Sequence, residues 1–273
     1  MRGRVWRERC ARAWRSLHDD ERGHFIVPYT PPSSGGVIFA ADFSSAVPLA
    51  GFDGVSGEAE LGVTMSRTHL PTGGPSGGPA YRFTWLHDPA QVNAGDGYGG
   101  EYYLGWGVDL GTAPTAGQSR FMRLRLRVVS GSNARTLDSS DGTASTVAMK
   151  VFIMGDGASG RPILELLCNR DASVATLRPA RDGAGYGDNT ITIGSWASVQ
   201  MEAVAGAGGA LRLWINNNTY ASPDEEQTGL SMGAATWDQF GCGYYSNRMI
   251  ASDGSFGLEL ADLEVGTAFD AAW

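Results

Sequence analysis

Carboxylates are the first side chains of this 273-residue chain to consider for chemistry. A retaining glycosidase needs two of them about 5 Å apart, an acid and a nucleophile that flank the glycosidic bond. Glu259, Asp262 and Glu264 come close to a suitable spacing, but they belong to the last predicted strand, where we expect a solvated edge. The run Asp224–Glu226 is contiguous, follows a proline and is expected to form a loop. The sequence therefore predicts no catalytic carboxylate pair and no glycosidase turnover.

Aromatic rings near polar side chains offer a different use, the binding of a sugar. A ring stacks on the apolar face of a pyranose while nearby polar groups bind its hydroxyls. Tyr102, Leu104 and Trp106 alternate with Tyr103 and Gly105, so only one of these two sets faces a core. We expect Tyr103 to face outward. The glycan-binding candidates are Arg82, His87, Tyr98, Tyr103, Tyr244, Tyr245 and Arg248.

The N-terminal segment has a pattern typical of a docking element. Trp6, Cys10, Trp14 and Leu17 are spaced as on one face of a helix, and arginines occupy the other face. The stretch that follows, up to Gly36, is rich in proline, serine and glycine, which is typical of an extended linker. We expect residues 1–36 to be a basic amphipathic arm that binds another subunit. The alternative is a helix that packs on its own domain.

From residue 37 onward the apolar residues recur with a period of two, which predicts β-strands. Glycine-rich or polar turns separate the strands, and no change in composition divides this part of the chain. Residues 37–273 are therefore predicted to form one all-β domain, a two-sheet antiparallel jelly-roll sandwich. The predicted strands cover residues 37–43, 81–85, 101–108, 121–129, 148–154, 163–169, 190–193, 198–205, 210–216, 237–245 and 256–265.

One of these predicted strands shows the alternation most clearly. In the run Met122–Val128, apolar residues alternate with Arg123, Arg125 and Arg127 without interruption. Such a pattern is typical of a strand with one buried and one solvated face. We expect the three arginines to form a solvated row.

Composition and charge exclude several classes of function. The net charge is −8, and because residues 1–36 carry seven arginines against four acidic residues, the acidity is concentrated in the β domain. An acidic domain is a poor partner for nucleic acid. The sequence contains no run of 18 apolar residues, which argues against membrane insertion, and its arginine-rich start does not fit a signal peptide.

Four segments, in order, resemble the concanavalin A-like lectin/glucanase superfamily, in its polysaccharide-lyase-like or laminin G-like branch. They are an opening strand that ends in Asp42-Phe43, a tryptophan followed by a strand at 194–202, the strand and turn at 210–218, and the closing strand at 258–265. The resemblance implies a jelly roll whose closing strand runs beside the first. This architecture hosts lectins, hydrolases, lyases and structural modules alike.

The resemblance also implies what a catalytic site would contain. Lyases of this fold use a tyrosine or histidine base near a group that neutralises a uronate carboxylate. Their arginine-serine/threonine-glutamate-leucine and glutamine-isoleucine/valine-histidine signatures are missing here, so we assign no catalytic residue. The same residue types also serve as packing aromatics and solvated polar groups. Residues of the required types are Arg82, His87, Tyr102, Tyr103, Lys150, Tyr244, Tyr245 and Arg248.

Calcium is the one metal whose binding the resemblance implies. Calcium sites in related sandwiches join the first and last strands through carboxylates and backbone oxygens, which indicates Asp42 and Asp262 as ligands. No sequence pattern predicts any other metal or cofactor.

Two functions follow from these observations. The first hypothesis is a non-enzymatic structural or adhesion protein of a virion, such as a bacteriophage capsid decoration or a tail or fibre component. It would be made in the host cytoplasm, anchored to other virion subunits by residues 1–36, and able to bind surface glycans through the jelly roll. The alternative is a carbohydrate-active enzyme of the same fold, a polysaccharide lyase or a glycoside hydrolase.

Overall fold

The computed structural model describes residues 36–41, 43–44, 63–87, 101–130, 136–137, 144–145, 149–155, 160–168, 173–182, 184–233, 237–245 and 255–273. These residues belong to one compact unit. Their regular structure consists of β-strands and a single 3₁₀ turn, Pro75–Gly77. Among them there is no helix with the length and apolarity that a membrane span requires.

Seventeen strands are present in the described ranges. In chain order they are β1 (Val37–Ala41), β2 (Val63–Leu70), β3 (Ala80–His87), β4 (Glu101–Asp109), β5 (Ser119–Val128), β6 (Thr136–Leu137), β7 (Ala144–Ser145), β8 (Met149–Met154), β9 (Pro162–Cys168), β10 (Val174–Arg181), β11 (Ala184–Gly185), β12 (Asn189–Thr192), β13 (Ala197–Val204), β14 (Gly206–Ile215), β15 (Glu225–Met232), β16 (Gln239–Tyr245) and β17 (Ser255–Gly266).

The strands form two large antiparallel sheets. Sheet A has the order β15-β14-β13-β5-β17-β3-β2, and β1 also pairs with β17. Sheet B has the order β11-β10-β9-β8-β16-β4, and β12 also pairs with β10; β6 and β7 form a separate small ribbon. The pairing of β1 with β17 confirms that the closing strand runs beside the first. The all-β, two-sheet prediction is therefore confirmed.

A single large core lies between the two sheets. Sheet A contributes residues such as Phe83, Leu124 and Leu260, and sheet B contributes residues such as Phe152 and Leu166, all of them buried. In strands such as β5 these residues alternate with polar ones, as expected when one face packs and the other faces away from the core. The period of two that predicts the strands therefore also identifies their buried faces.

Strand β17 keeps its apolar residues in the core by means of a β-bulge. Leu258 and Leu260 are buried, and strict alternation would turn Leu263 and Val265 outward. The register with β5 shifts between Ala261 and Glu264, and Asp262 adopts a φ of 48°. Because the bulge inserts one residue, Leu263 and Val265 return to the core face.

The arginines of β5 do not form the solvated row that their alternation predicts. Glu259, Asp262 and Glu264 of β17 lie beside them, because β17 is an inner strand of sheet A and not a solvated edge. The ion pairs are Arg127 with Glu259, Arg125 with Asp262 at 3.3 Å, and Arg123 with Glu264 at 3.1 Å. Both expectations of solvation are wrong for the same reason: opposite charges on neighbouring strands pair across the sheet.

Glu264 gives these ion pairs a pH dependence. Burial raises the pKa of its carboxyl group, although the neighbouring Arg123 acts to lower it. A raised folded-state pKa contributes stability that is complete below the unfolded pKa and is lost as the pH rises through the folded value. In Glu264→Gln, the amide oxygen can still accept from Arg123 but cannot titrate. We therefore expect that the free energy of unfolding of this variant no longer decreases as the pH rises above the usual pKa of glutamate. Urea unfolding from about pH 4 to 7 measures it, and an unchanged slope in the variant would contradict the assignment.

The expected loop at Asp224–Glu226 is also corrected. Glu225 and Glu226 begin β15, which pairs with β14 at the edge of sheet A. Glu226 lies directly opposite Arg212 of β14, whose Nε donates to its carboxylate at 2.6 Å. The sequence of this edge strand has few apolar residues, so the period of two is weak there.

Candidate active site

A row of polar residues crosses five adjacent strands of sheet B. In the strand register, Arg178 of β10 lies opposite Glu165 of β9, and Glu165 lies opposite Lys150 of β8. Lys150 in turn lies opposite Tyr245 of β16, and Tyr245 lies opposite Glu101 of β4. Residues that lie directly opposite each other occupy the same face of an antiparallel sheet. The register therefore sets a tyrosine, a lysine, two glutamates and an arginine side by side.

This row belongs to the face of sheet B that points away from the core. Leu164, Leu166 and Leu177 are buried between the two sheets. Glu165 and Arg178 alternate with these leucines along β9 and β10, so they lie on the opposite face. Of the two residues of the row whose side chains are described, Arg178 is partly exposed and Glu165 is buried.

Glu165 and Arg178 form the part of the row that is described in atomic detail. The Arg178 Nε donates to the Glu165 carboxylate at 2.9 Å, and the Glu165 side chain is only 2% exposed. Arg178 extends over Gly185 of β11, where an added Cβ would lie 1.9 Å from its Nε. A larger residue at position 185 would displace the guanidinium. The ion pair therefore fixes one cation at the end of the row.

Two irregularities in the ladder surround the row. The register between β8 and β9 shifts between Lys150 and Phe152, and that between β16 and β8 shifts between Cys242 and Tyr245. β-Bulges change the direction of a strand locally and occur frequently beside active sites. Here both shifts fall next to Lys150 or Tyr245.

The combination of groups in the row suits the removal of a proton next to a carboxylate. A phenol can exchange a proton with a substrate, while lysine and arginine stabilise negative charge. Hydrolysis by a glycosidase would require two carboxyl groups free to act on the glycosidic bond, whereas Glu165 already forms an ion pair with Arg178.

The glycan-binding residues predicted from the sequence divide between the two sheets. Tyr103, Tyr244 and Tyr245 lie in sheet B, where Tyr103 pairs with Gly243, two residues from Tyr245. Arg82 and His87 lie in β3 of sheet A. Arg82 donates from Nε to the buried carboxylate of Glu259 at 2.7 Å, so its guanidinium serves an ion pair of sheet A. Tyr98 and Arg248 lie outside the described residues.

Three other predictions remain untested. The arm residues Trp6, Cys10, Trp14 and Leu17, and with them the domain boundary at residue 36, lie in or next to a segment outside the described residues. Asp42 is outside them too, while Asp262 pairs with Arg125 at 3.3 Å. In the ranges that the structure describes, no group of three or more metal-binding side chains occurs. Calcium binding by Asp42 and Asp262 stays a prediction.

Sequence reasoning missed Glu165 and Arg178 as site residues. The signal was present for Glu165, because it is the one charged residue within the apolar run Ile163–Leu167. Charged residues are almost never fully buried unless they are paired. The charge in this run therefore indicated a partner on a neighbouring strand, although not which one.

Comparison with known proteins supports the architecture through solved structures. No protein-family model matches the chain, and no curated protein sequence matches it. The endo-β-1,4-glucuronan lyase from the fungus Trichoderma reesei superposes with a TM-score of 0.55 at 16% identity, over 85% of this chain and 96% of the lyase. The fold is a concanavalin A-like jelly roll.

Two further structures resemble this jelly roll more distantly. The cellulose induced protein Cip1 has a TM-score of 0.44 at 11% identity, over 77% of this chain and 92% of its own. The PL7 alginate lyase AlyA1 from Zobellia galactanivorans has a TM-score of 0.43 at 13% identity, over 70% of this chain and 78% of its own. The jelly-roll fold inferred from the four sequence segments is confirmed by the superposition on the glucuronan lyase.

Proposed function

We propose that this protein is a polysaccharide lyase that cleaves an acidic glycan by β-elimination on the outer face of sheet B. The observation that carries the proposal is the register that aligns Tyr245, Lys150, Glu165 and Arg178 across four adjacent strands. The likeness in fold to a lyase that acts on glucuronan supports it. The substrate class is a polymer with 4-linked uronate residues.

The reaction needs no water and no cofactor. A base removes the proton at C5, next to the uronate carboxylate, and the electron pair forms the C4–C5 double bond. The bond between C4 and the glycosidic oxygen breaks, and that oxygen takes up a proton. The products are an unsaturated uronate at one new end and a reducing sugar at the other.

Each residue of the row has a role in this elimination that follows from its side-chain chemistry. Lys150 binds the uronate carboxylate and so stabilises the charge that develops when C5 loses its proton. Tyr245, one strand away, removes that proton and returns one to the leaving oxygen. Arg178, held by Glu165 at 2.9 Å, binds the carboxylate of a neighbouring sugar of the polymer. A neutral hexose or a uronate ester in place of the uronate would lose these interactions.

The enzyme hypothesis is better supported than the virion hypothesis. The comparisons yield lyases of the same fold and offer nothing in favour of a structural role in a virion. Residues 1–36, on which the virion hypothesis depends, remain untested. That role stays a prediction from the sequence alone.

An assay on a panel of glycans tests the proposal directly. We expect the full chain to generate the ultraviolet absorbance of a conjugated C4–C5 double bond from glucuronan or alginate. The matched control is the same polymer with its carboxyl groups reduced to alcohols, which removes the acidity at C5 and should abolish turnover. Reducing ends without the double bond would identify a hydrolase, and no product from any acidic glycan would refute lyase activity.

A further inference from the structure

Sheet A carries a second concave surface, separate from the proposed active face. It is a cleft of about 290 Å³ on the outer side of the sheet. Strands β5 and β13, the turn after β14 and the segment after β17 contribute to it. Its lining residues are Ser119, Phe121, Glu202, Tyr220, Thr267, Ala268 and Phe269.

One wall of the cleft is an aromatic stack with an exposed end. Tyr220 is 48% exposed, the larger of the two exposed apolar side chains among the described residues. Its ring stacks on the buried Trp214, with centroids 5.6 Å apart and planes inclined by 21°. Phe269 packs against both rings, at 5.0 Å from Trp214 and 5.4 Å from Tyr220. The support from beneath makes Tyr220 a rigid platform.

The polar wall opposite is a fixed hydrogen-bond network around Glu202. This carboxylate is almost fully buried and accepts from the Ser119 hydroxyl at 2.6 Å and from Arg212 Nη1 at 2.6 Å. The Tyr220 hydroxyl donates to it at 3.4 Å. Burial and the charge of Glu202 raise the pKa of Tyr220, so its hydroxyl stays protonated near neutral pH. The platform is thus held in orientation by its polar end as well as by its ring.

The charges of the cleft determine which sugars suit it. Arg212 donates to both Glu202 and Glu226 at 2.6 Å, so its guanidinium is already bound by two carboxylates. Although partial burial opposes its charge, the two acids raise the pKa of Arg212. Among the described residues, Glu202 is the one charged residue that lines the cleft, and it shares the guanidinium of Arg212 with Glu226, so its negative charge is only partly compensated. Arg123, which donates to the Ala268 carbonyl, is itself paired with Glu264. A uronate would therefore be repelled, whereas a neutral sugar would not.

We infer that this cleft is a non-catalytic binding site for a neutral hexopyranose unit of a polysaccharide, which stacks on Tyr220. An exposed ring on a rigid support gives the apolar contact at little entropic cost. The cleft volume suits one sugar ring with a few waters. Since the site lies on sheet A, it acts independently of the row on sheet B.

Affinity electrophoresis of the full chain tests this inference. Gels contain hydroxyethylcellulose, glucomannan or laminarin as neutral probes, and alginate as the acidic probe. We expect retardation by at least one neutral polymer and none by alginate. Tyr220→Ala should weaken the retention about tenfold, as expected for the loss of a stacking contact. Tyr220→Phe, which keeps the ring, should retain most of it.

A blocking variant covers the case in which Tyr220→Ala disturbs the aromatic cluster. Ala268 is exposed at the rim of the cleft, and Ala268→Arg should fill the cleft without removing any ring. Val174→Ala, at an exposed position of sheet B, is the matched control and should bind normally. Retention unchanged in Tyr220→Ala and Ala268→Arg would refute the location. Failure of every neutral probe, or retention by alginate instead, would refute the ligand class. None of these results depends on lyase activity.

Discussion

Replacing Glu259 by glutamine is expected to destabilise the sandwich by about 2 kcal/mol, because a buried carboxylate that accepts from two arginines loses its charge and one of its acceptor oxygens. The Glu259 side chain is 0% exposed and is bound by Arg82 and Arg127 from the two neighbouring strands. A glutamine keeps one acceptor oxygen but presents its NH₂ group to the second arginine. The two guanidinium groups then face each other without the anion between them. Urea unfolding at neutral pH measures the change in the free energy of unfolding.

Glu226→Gln is the matched control for this prediction. Glu226 also binds an arginine of the neighbouring strand, with Arg212 Nε at 2.6 Å, but its side chain is 46% exposed. Exposed ion pairs contribute about 0 to 1 kcal/mol. If the two variants lose equal stability, burial does not govern the contribution of these ion pairs. A loss below about 1 kcal/mol in Glu259→Gln would show that solvent reaches the carboxylate.

The alternation of apolar residues was sufficient to predict the fold class because the core is built from it. Strands such as β5 and β13 have a residue of the core at every second position, so the period identifies the face that lies between the two sheets. Strands β2 and β15, in contrast, were not predicted from the sequence. Both are edge strands of sheet A with few apolar residues, and each is hydrogen-bonded to a single neighbouring strand. Edge strands have little apolar periodicity to detect.

Strand β10 escaped prediction for a different reason. It contains Pro179, and a proline within a strand argues against an inner position. The structure accommodates it at a gap: β12 pairs with residues 174–177 of β10, and β11 with residues 180–181. Pro179 lies between these two pairings and its missing N–H breaks neither. Such a gap depends on two strands of only two and four residues, which are too short to show an apolar period.

The candidate site was less predictable than the fold, since it depends on register. Tyr245 and Lys150 were recognised as chemically suitable, but neither could be placed relative to the other. Their alignment depends on the strand shifts beside them, and a shift of one residue would move either one to the other face. Arg82 shows the converse. Its type suited a sugar ligand, yet a nearby carboxylate in sheet A binds it.

Tyr245→Phe is expected to lower kcat/KM for an acidic glycan by about 10²- to 10⁴-fold, the usual contribution of a positioned general acid or base. The substitution removes only the phenolic oxygen and keeps the ring, so it should remove proton transfer by this side chain. We expect most of the loss in kcat and little change in KM, because substrate binding rests on Lys150 and Arg178. The measurement is the initial rate of double-bond formation on the substrate identified by the glycan panel.

Tyr244→Phe provides the matched control, since it makes the same change at the neighbouring residue. Tyr244 pairs with Tyr102, one position away from the Tyr245–Glu101 pair, and therefore occupies the opposite face of sheet B. Because its position belongs to the face opposite the row, we expect activity within about twofold of the parent, far less than the 10²- to 10⁴-fold loss expected for a general acid or base. Equal losses in both variants would indicate a structural effect, which a lowered melting temperature would reveal. An active Tyr245→Phe enzyme would instead exclude this phenol as the proton carrier and leave that role to another residue of the same face.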